Sequence, residues 1–77
     1  MNVEKAFGII LKEKRTIKKL SQEEFAFLCN LDRTYISLLE RGKRKPSIAT
    51  IFSLSTILET EPHLLILETE KLLKSNQ

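Results

Sequence analysis

The feature that most restricts the fold is a stretch in the middle of the chain that starts and stops two short helices in close succession. Ser21 and Glu24 have the spacing of a capping box, in which each side chain accepts a hydrogen bond from the other residue's backbone amide. Asn30 tolerates the left-handed backbone that ends a helix. Asp32 is a favoured N-cap for the next helix, which Gly42 then ends. Because only a tight turn separates the two helices, they must meet at a steep angle.

Apolar residues at helical spacing predict three further helices around this pair. The first helix covers Val3 to about Ile17. The fourth begins at Ser47 or the residue before it. The fifth, over about 62–74, opens with Pro62, which suits a first turn because proline has no amide to leave unpaired. The expected buried residues of the second and fourth helices are Phe25, Ala26, Leu28, Cys29, Ile48, Ile51, Leu54 and Leu58. The sequence therefore predicts an all-α fold of five helices.

Length and composition limit the chain to one domain. At 77 residues, it can hold one modest core over residues 1–77 and no second, ligand-binding domain. With 42% hydrophobic and 30% charged residues, the composition is that of a globular protein. The net charge of +3 agrees with a polyanionic partner but is common among small domains. The apolar run after Met1 is short and contains Glu4, so we expect no signal peptide, no membrane span and a cytoplasmic location.

Cys29 and His63 are the only cysteine and the only histidine. A single cysteine cannot form an internal disulfide or, by itself, a metal site, so we expect Cys29 to be a small buried residue rather than a reactive thiol. His63 follows Pro62 at a helix start, where a surface position is expected. The sequence shows no nucleophile–base set, no paired carboxylates and no phosphate-binding loop. We therefore expect no enzyme activity, no cofactor and no metal.

The third helix has two different faces. On a helical wheel, Ile36 and Leu39 form a narrow inward stripe, while Thr34, Ser37 and Arg41 lie on the opposite side. A helix anchored by one stripe, with donors and a cation on its other face, can enter the major groove of DNA and touch base edges with its first residues. An ordinary solvent-exposed helix face would have the same composition. The surrounding pattern of two short helices is what favours a DNA-binding role.

The wider pattern is that of a known family. Residues 7–67 resemble the lambda-repressor and Cro-like (Xre-type) helix-turn-helix family, through FGIILKEKR, LSQEEFA, CNLD, YISLLERG and the PS that follows. LDRTYIS followed by ERGKR is especially similar to the controller proteins of restriction-modification systems. This resemblance implies a homodimeric regulator that binds a partly palindromic operator of its own operon in double-stranded DNA and contacts RNA polymerase when it activates. Short phage repressors and antitoxins share much of the pattern. Many relatives carry glycine where Lys19 and Asn30 stand, which leaves the end of the first helix less well defined.

The resemblance also implies roles for individual residues. The base-reading residues are Arg33, Thr34 and Ser37. Arg33 in particular can bind guanine O6 and N7 together. The residues that contact the DNA backbone are Gln22, Tyr35, Arg41, Lys43 and Arg44. Arg15 and Glu40 match a pair that joins the first and third helices, so we expect them to be structural.

The fifth helix has more leucines than one small core needs, which favours a dimer interface. Its expected members are Leu64, Leu65, Leu67 and Leu72. Other interpretations stay open: these leucines can all belong to the core, or the helix can dock another protein in a chain that binds no DNA. Tyr35 can pack on the domain edge as well as contact DNA, and the KRK run at residues 43–45 can be an ordinary charged loop.

Overall fold

The computed structural model describes residues 1–76, which form five α-helices joined by short turns. The helices are α1 (Val3–Ile17), α2 (Gln22–Leu28), α3 (Arg33–Glu40), α4 (Ile48–Leu58) and α5 (Pro62–Ser75). No strand occurs among the described residues. The predicted all-α, five-helix fold is confirmed, and the bounds of α1 are those that the apolar spacing indicated.

The predicted capping box at the start of α2 is present. The Ser21 hydroxyl accepts a hydrogen bond from the Glu24 amide at 3.0 Å, and the Glu24 carboxylate accepts one from the Ser21 amide at 2.8 Å. The backbone bond from Ser21, together with that residue's side chain, lowers the pKa of Glu24. Asp32 is the N-cap of α3, but its side chain makes no capping hydrogen bond. The helix α2 therefore begins with a complete capping box, whereas α3 begins at Asp32 without a hydrogen bond from its side chain.

Left-handed residues follow four of the helices. Asn30 (φ 57°) and Gly42 (φ 72°) adopt this conformation after α2 and α3, as predicted. Lys19 (φ 59°) adopts it after α1, although a lysine is strained there, and Glu59 (φ 55°) adopts it after α4. Lys18 donates to the Glu59 carboxylate across the fold, and this hydrogen bond and the lysine charge lower the pKa of Glu59. The left-handed Glu59 was not indicated by the sequence.

The core lies between α1, α3 and α5, with α2 packed on α3 and α4 packed on α5. The buried apolar side chains are Phe7, Ile10, Leu11, Phe25, Ala26, Cys29, Ile36, Leu39, Leu54, Leu58 and Leu65. The burial of Cys29 agrees with its predicted structural role, and that burial raises the pKa of its thiol to about 11. A thiol that is protonated at neutral pH behaves as a small apolar residue. Apolar burial therefore holds α3 against both α1 and α2, while Leu54 and Leu58 attach α4.

Two of the predicted core positions are wrong. Ile48 is 72% exposed, because burial on α4 is confined to the second half of the helix. Leu28 is 50% exposed, because Phe25 and Ala26 already cover the inward face of α2. A buried position that the sequence did not indicate is Ser55, whose hydroxyl donates to the carbonyl oxygen of Ile51 at 2.7 Å. Apolar spacing alone did not show which part of each helix meets its neighbours.

The assignment of Leu65 to a dimer interface is also wrong. Leu65 is 0% exposed and belongs to the core of the single chain, so no second chain can reach it. Leu72 is half-buried and packs against the same core. Leu64 and Leu67 stay exposed at the surface. Leu64 and Leu67 are therefore the members of the predicted set that are most accessible to a partner.

Backbone contact between α1 and α3 depends on two glycines. A Cβ atom at Gly8 would lie 2.5 Å from the carbonyl oxygens of Leu39 and Glu40, which is too close for any side chain. A Cβ atom at Gly42 would lie 2.8 Å from the Cα atom of Lys5, and its φ of 72° is itself unfavourable for other residues. The two glycines therefore let α1 press directly on the end of α3 and on the turn after it.

Candidate nucleic-acid interface

The first turn of α3 presents Arg33 and Thr34 to solvent. Both side chains are exposed, whereas Ile36 and Leu39 on the inward side of the helix are 0% and 1% exposed. Ser37, one turn after Arg33 and Thr34, is half-buried. The inward stripe thus fixes the rotation of the helix about its axis. Thr34 must then face outward, whereas Arg33 lies on the flank of the helix and is exposed in its first turn.

Tyr35 lies at the edge of this face. The residue is half-buried, and its ring packs against the core cluster that includes Ile36 and Phe25. Packing of the ring is therefore part of its role, and a contact of Tyr35 with DNA stays a prediction. Leu38, on the outer side of the wheel, is half-buried rather than fully exposed.

A network of hydrogen bonds behind α3 joins three helices. Arg15 of α1 donates from Nε and Nη2 to the two carboxylate oxygens of Glu40 at 2.6 and 3.0 Å, and from Nη1 to the carbonyl oxygen of Leu20 at 2.8 Å. Gln22 of α2 donates from Nε2 to the same carboxylate at 3.0 Å. The side chains of Arg15 and Glu40 are 11% and 2% exposed. The expected pair is thus present as a buried bidentate contact that positions the C-terminal end of α3.

The position of Gln22 differs from the expectation in part. Its side-chain amide is bonded to Glu40, a contact that the sequence did not indicate, and the residue is half-buried. Its backbone amide lies in the first turn of α2, where amides have no partner within the helix and can bind an anion. A phosphate contact of Gln22 therefore stays a prediction, and the backbone amide is the group best placed to make it.

The cations at the end of α3 form one exposed cluster. Arg41, Lys43 and Arg44 are all exposed, and none forms an ion pair with any of residues 1–76. The turn folds back on α3, since the amide of Lys43 donates to the carbonyl oxygen of Leu38 at 2.8 Å. The cluster is therefore held beside the C-terminal end of α3 rather than extended away from it.

The sequence carried a signal for one contact that we did not predict. Gly8 stands inside an otherwise regular helical pattern, where its cost to helix stability can indicate a packing reason such as a close backbone approach. The structure shows that this approach is to α3, immediately before the basic cluster. The additional bond from Gln22 to Glu40 has no comparable signal, because it depends on the crossing of α2 and α3.

Other kinds of site receive no support from the described residues. None of the helices within residues 1–76 combines the length and the apolar character needed to cross a membrane. No group of three histidine, cysteine, aspartate or glutamate side chains in that range is arranged to hold a metal ion.

The sequence is similar to that of known regulators. A helix-turn-helix family model matches residues 11–65, which include all of α2 and α3. The control protein C.BamHI of Bacillus amyloliquefaciens is 42% identical over 62 residues, which cover 79% of this chain and 76% of that protein. The ImmF control region 10 kDa protein of Bacillus phage phi105 is 33% identical over 61 residues, which cover 79% of this chain and 68% of that protein.

The fold is also similar to that of a solved controller protein. The crystal structure of the restriction-modification controller protein C.AhdI from Aeromonas hydrophila matches with a TM-score of 0.77 and 49% identity, covering 79% of this chain and 92% of that one. The family model, the sequence identity and the shared fold agree with one another. The chain therefore belongs to the helix-turn-helix family and counts restriction-modification control proteins among its relatives.

Proposed function

We propose that this chain is a homodimeric transcriptional regulator of the restriction-modification controller type, which binds a partly palindromic operator and controls its own operon. The observation that carries the proposal is the exposure of Arg33 and Thr34 at the start of a helix whose other side is fully buried. The relatives named as control proteins supply the class of regulator.

The exposed face of α3 supplies the chemistry of sequence reading. The guanidinium of Arg33 can donate two hydrogen bonds to O6 and N7 of one guanine, a pattern that only a G·C pair offers in the major groove. Thr34 adds a hydroxyl and a methyl group beside it, and half-buried Ser37 adds a second hydroxyl one turn along. Contacts of this kind discriminate between base pairs, whereas contacts to phosphate do not.

Contacts to the DNA backbone on both sides of α3 would hold this helix in the major groove. On one side, the first turn of α2 offers the amide of Gln22 to a phosphate. On the other side, Arg41, Lys43 and Arg44 form the exposed basic cluster. Because these groups flank the reading helix, they would fix its depth and register on the duplex.

A second copy of the chain would read the second half of the operator. In this proposal, residues 1–77 form one domain, and the last helix contributes to dimerisation through Leu64 and Leu67. Ile66 on α5 and both Ile48 and Phe52 on α4 are also exposed large apolar residues, which supports a wider interface that includes α4. Dimers of this kind read two half-sites roughly 10 base pairs apart, centre to centre.

Regulation would follow the concentration of the dimer. In this proposal, occupancy of the operator depends on how much protein has been made, because association and binding both follow mass action. The chain would act in the cytoplasm. At low occupancy of the operator, the dimer would activate transcription through contact with RNA polymerase. At higher occupancy, the filling of adjacent sites would repress the operon.

Footprinting of the DNA upstream of the coding sequence tests this proposal. We expect protection of two half-sites related by an approximate two-fold axis. A gel shift against random duplex of the same length is the control, and the affinity for the upstream DNA must be higher. Both affinities should fall steeply with salt, because several phosphate contacts release counterions. Equal affinity for both duplexes, or no binding to either, would contradict the proposal.

A phage-type repressor or an antitoxin with the same fold is the second candidate. The similarity to the control region protein of phage phi105 favours the repressor version. The chemistry at the DNA is the same, and the genes under control differ. Gene order separates these candidates, because an adjacent endonuclease gene indicates a controller and an adjacent toxin gene indicates an antitoxin.

A further inference from the structure

A basic groove runs along α1 beside the C-terminal end of α3 and extends beyond the residues that the proposed function uses. We call it the α1–α3 groove. It has a volume of about 730 Å³, and its charged lining residues are Lys5, Lys12, Glu13, Glu40, Arg41 and Lys43. Lys5 and Lys12 have no role in base reading, in the core or in any ion pair among residues 1–76.

The groove concentrates the positive charge of the chain. The Glu40 carboxylate in its lining already accepts hydrogen bonds from Arg15 and Gln22, so the charge of Arg15 compensates that of Glu40. Glu13 is then the one acidic side chain of the groove that opposes its four cations. The lining of the groove therefore has an excess of three positive charges. An excess so localised attracts a polyanion more strongly than the same charge spread over the surface.

The groove is continuous with the predicted DNA-binding surface. Arg41 and Lys43 belong both to its lining and to the basic cluster after α3. Because Gly42 has no side chain, the start of α1 contacts this turn, and Lys5 therefore lies next to the basic cluster. The residues Lys5 and Lys12 are seven positions apart on one helix, which corresponds to roughly 10 Å along its axis. That length spans about three successive phosphates of one strand, measured along the duplex axis.

We propose that the α1–α3 groove is a second surface for DNA phosphates, in which Lys5 and Lys12 bind the duplex backbone beyond the base pairs that α3 reads. This inference rests on the proposed function, because the same duplex must occupy α3 and the groove. It extends the binding site beyond the helix-turn-helix unit. The contacts add affinity and salt dependence without sequence preference, because they involve phosphate alone.

Fluorescence anisotropy of the full chain with labelled upstream DNA tests the groove. The variant Lys5→Ala/Lys12→Ala removes two exposed charges, and Lys71→Ala/Lys74→Ala removes two exposed charges from α5 as the matched control. For the groove variant, we expect weaker binding to upstream and random DNA by the same factor. The slope of log K against log salt should become shallower by about 2, one phosphate for each lysine. The α5 variant should keep the wild-type slope.

A second measurement uses duplexes that end at the footprint and the same duplexes with short random flanks. The flanks should raise the affinity of the wild type and not that of the groove variant. An unchanged salt slope in the groove variant would overturn the inference while leaving the proposed function intact, provided that Arg33→Ala still loses discrimination. Loss of binding to a labelled poly-glutamate peptide, with DNA binding unchanged, would also overturn it and identify an acidic protein segment as the occupant.

Discussion

Arg15 and Glu40 are 25 residues apart in the sequence, yet they form a bidentate contact with hydrogen bonds of 2.6 and 3.0 Å. The side chains are 11% and 2% exposed, so water contributes little to the stability of either charge. The pair fixes the C-terminal end of α3 against α1, while the first turn of α3 stays free to face a ligand. The position of Arg33, which we propose to read bases, therefore depends on a contact that lies at the opposite end of the same helix.

Loss of the Glu40 charge should destabilise the fold. In Glu40→Gln, the Arg15 guanidinium stays nearly buried without a counter-charge, which costs about 3 kcal/mol of the free energy of unfolding. Urea denaturation followed by far-UV circular dichroism measures this loss. The control is Lys74→Ala, which breaks the exposed Lys74–Glu70 pair and should cost less than about 0.5 kcal/mol. Similar losses in the two variants would show that burial of the Arg15–Glu40 pair has no special weight.

The close approach of α1 and α3 should not tolerate a methyl group at Gly8. Alanine normally stabilises a helix relative to glycine, but here its Cβ would lie 2.5 Å from two carbonyl oxygens of α3. We expect Gly8→Ala to lower the free energy of unfolding by about 1–3 kcal/mol, as overpacking does elsewhere. Thermal unfolding provides the measurement. Ile9→Ala, at the neighbouring exposed position, is the control and should have a smaller effect. A more stable Gly8→Ala variant would contradict the contact.

The sequence predicted the helix caps and turns of this fold better than the contacts between its helices. The capping box of Ser21 and Glu24 and the left-handed Asn30 involve neighbours in the chain, so residue types at fixed spacing were sufficient. Burial depends on where helices cross. Ile48 was predicted to be buried and Leu65 to lie at a dimer interface, yet the first is exposed and the second fully buried. Only the packing of α5 on α1 and of α4 on α5 distinguishes them.

The candidate site shows the same division. The outward direction of Thr34 followed from the inward stripe on α3, because a helix has a fixed period, and Arg33 flanks the same exposed turn. The bond from Gln22 to Glu40 and the α1–α3 groove did not follow from any pattern, since each combines residues of separate helices. The residues that we predict to contact DNA thus come from several helices and not from α3 alone.

The capping box should make the stability of the chain depend on pH in the acidic range. The pKa of Glu24 is lowered in the folded chain, first by the backbone amide of Ser21 and then by its side chain. The stabilisation is therefore complete above the unfolded pKa of about 4.3 and is lost as the pH falls through the lower folded pKa. Glu24→Gln should show a shallower decrease of the urea midpoint between about pH 5 and pH 3 than the wild type.

Ser21→Ala serves as the comparison for this pH effect. The variant keeps the backbone amide that binds the Glu24 carboxylate and removes only the hydroxyl. It should therefore retain the larger part of the pH dependence, although it is less stable at neutral pH because the cap is lost. If Glu24→Gln and the wild type lose stability with the same slope, the capping box does not hold the carboxylate in solution.

Arg33 and Lys43 should contribute to DNA binding in different ways. Arg33 is exposed in the first turn of α3, where it can reach a base edge, and Lys43 lies in the turn after the helix, where it can reach a phosphate. Arg33→Ala should weaken binding to the operator by about 1–3 kcal/mol and reduce discrimination at one base pair. Lys43→Ala should weaken binding to all sequences alike and lower the salt slope by about 1. Competition assays with the operator, single-base variants and random duplex measure both effects. Should Arg33→Ala weaken random and operator DNA equally, Arg33 contacts the backbone, and base reading must be assigned to other residues of α3.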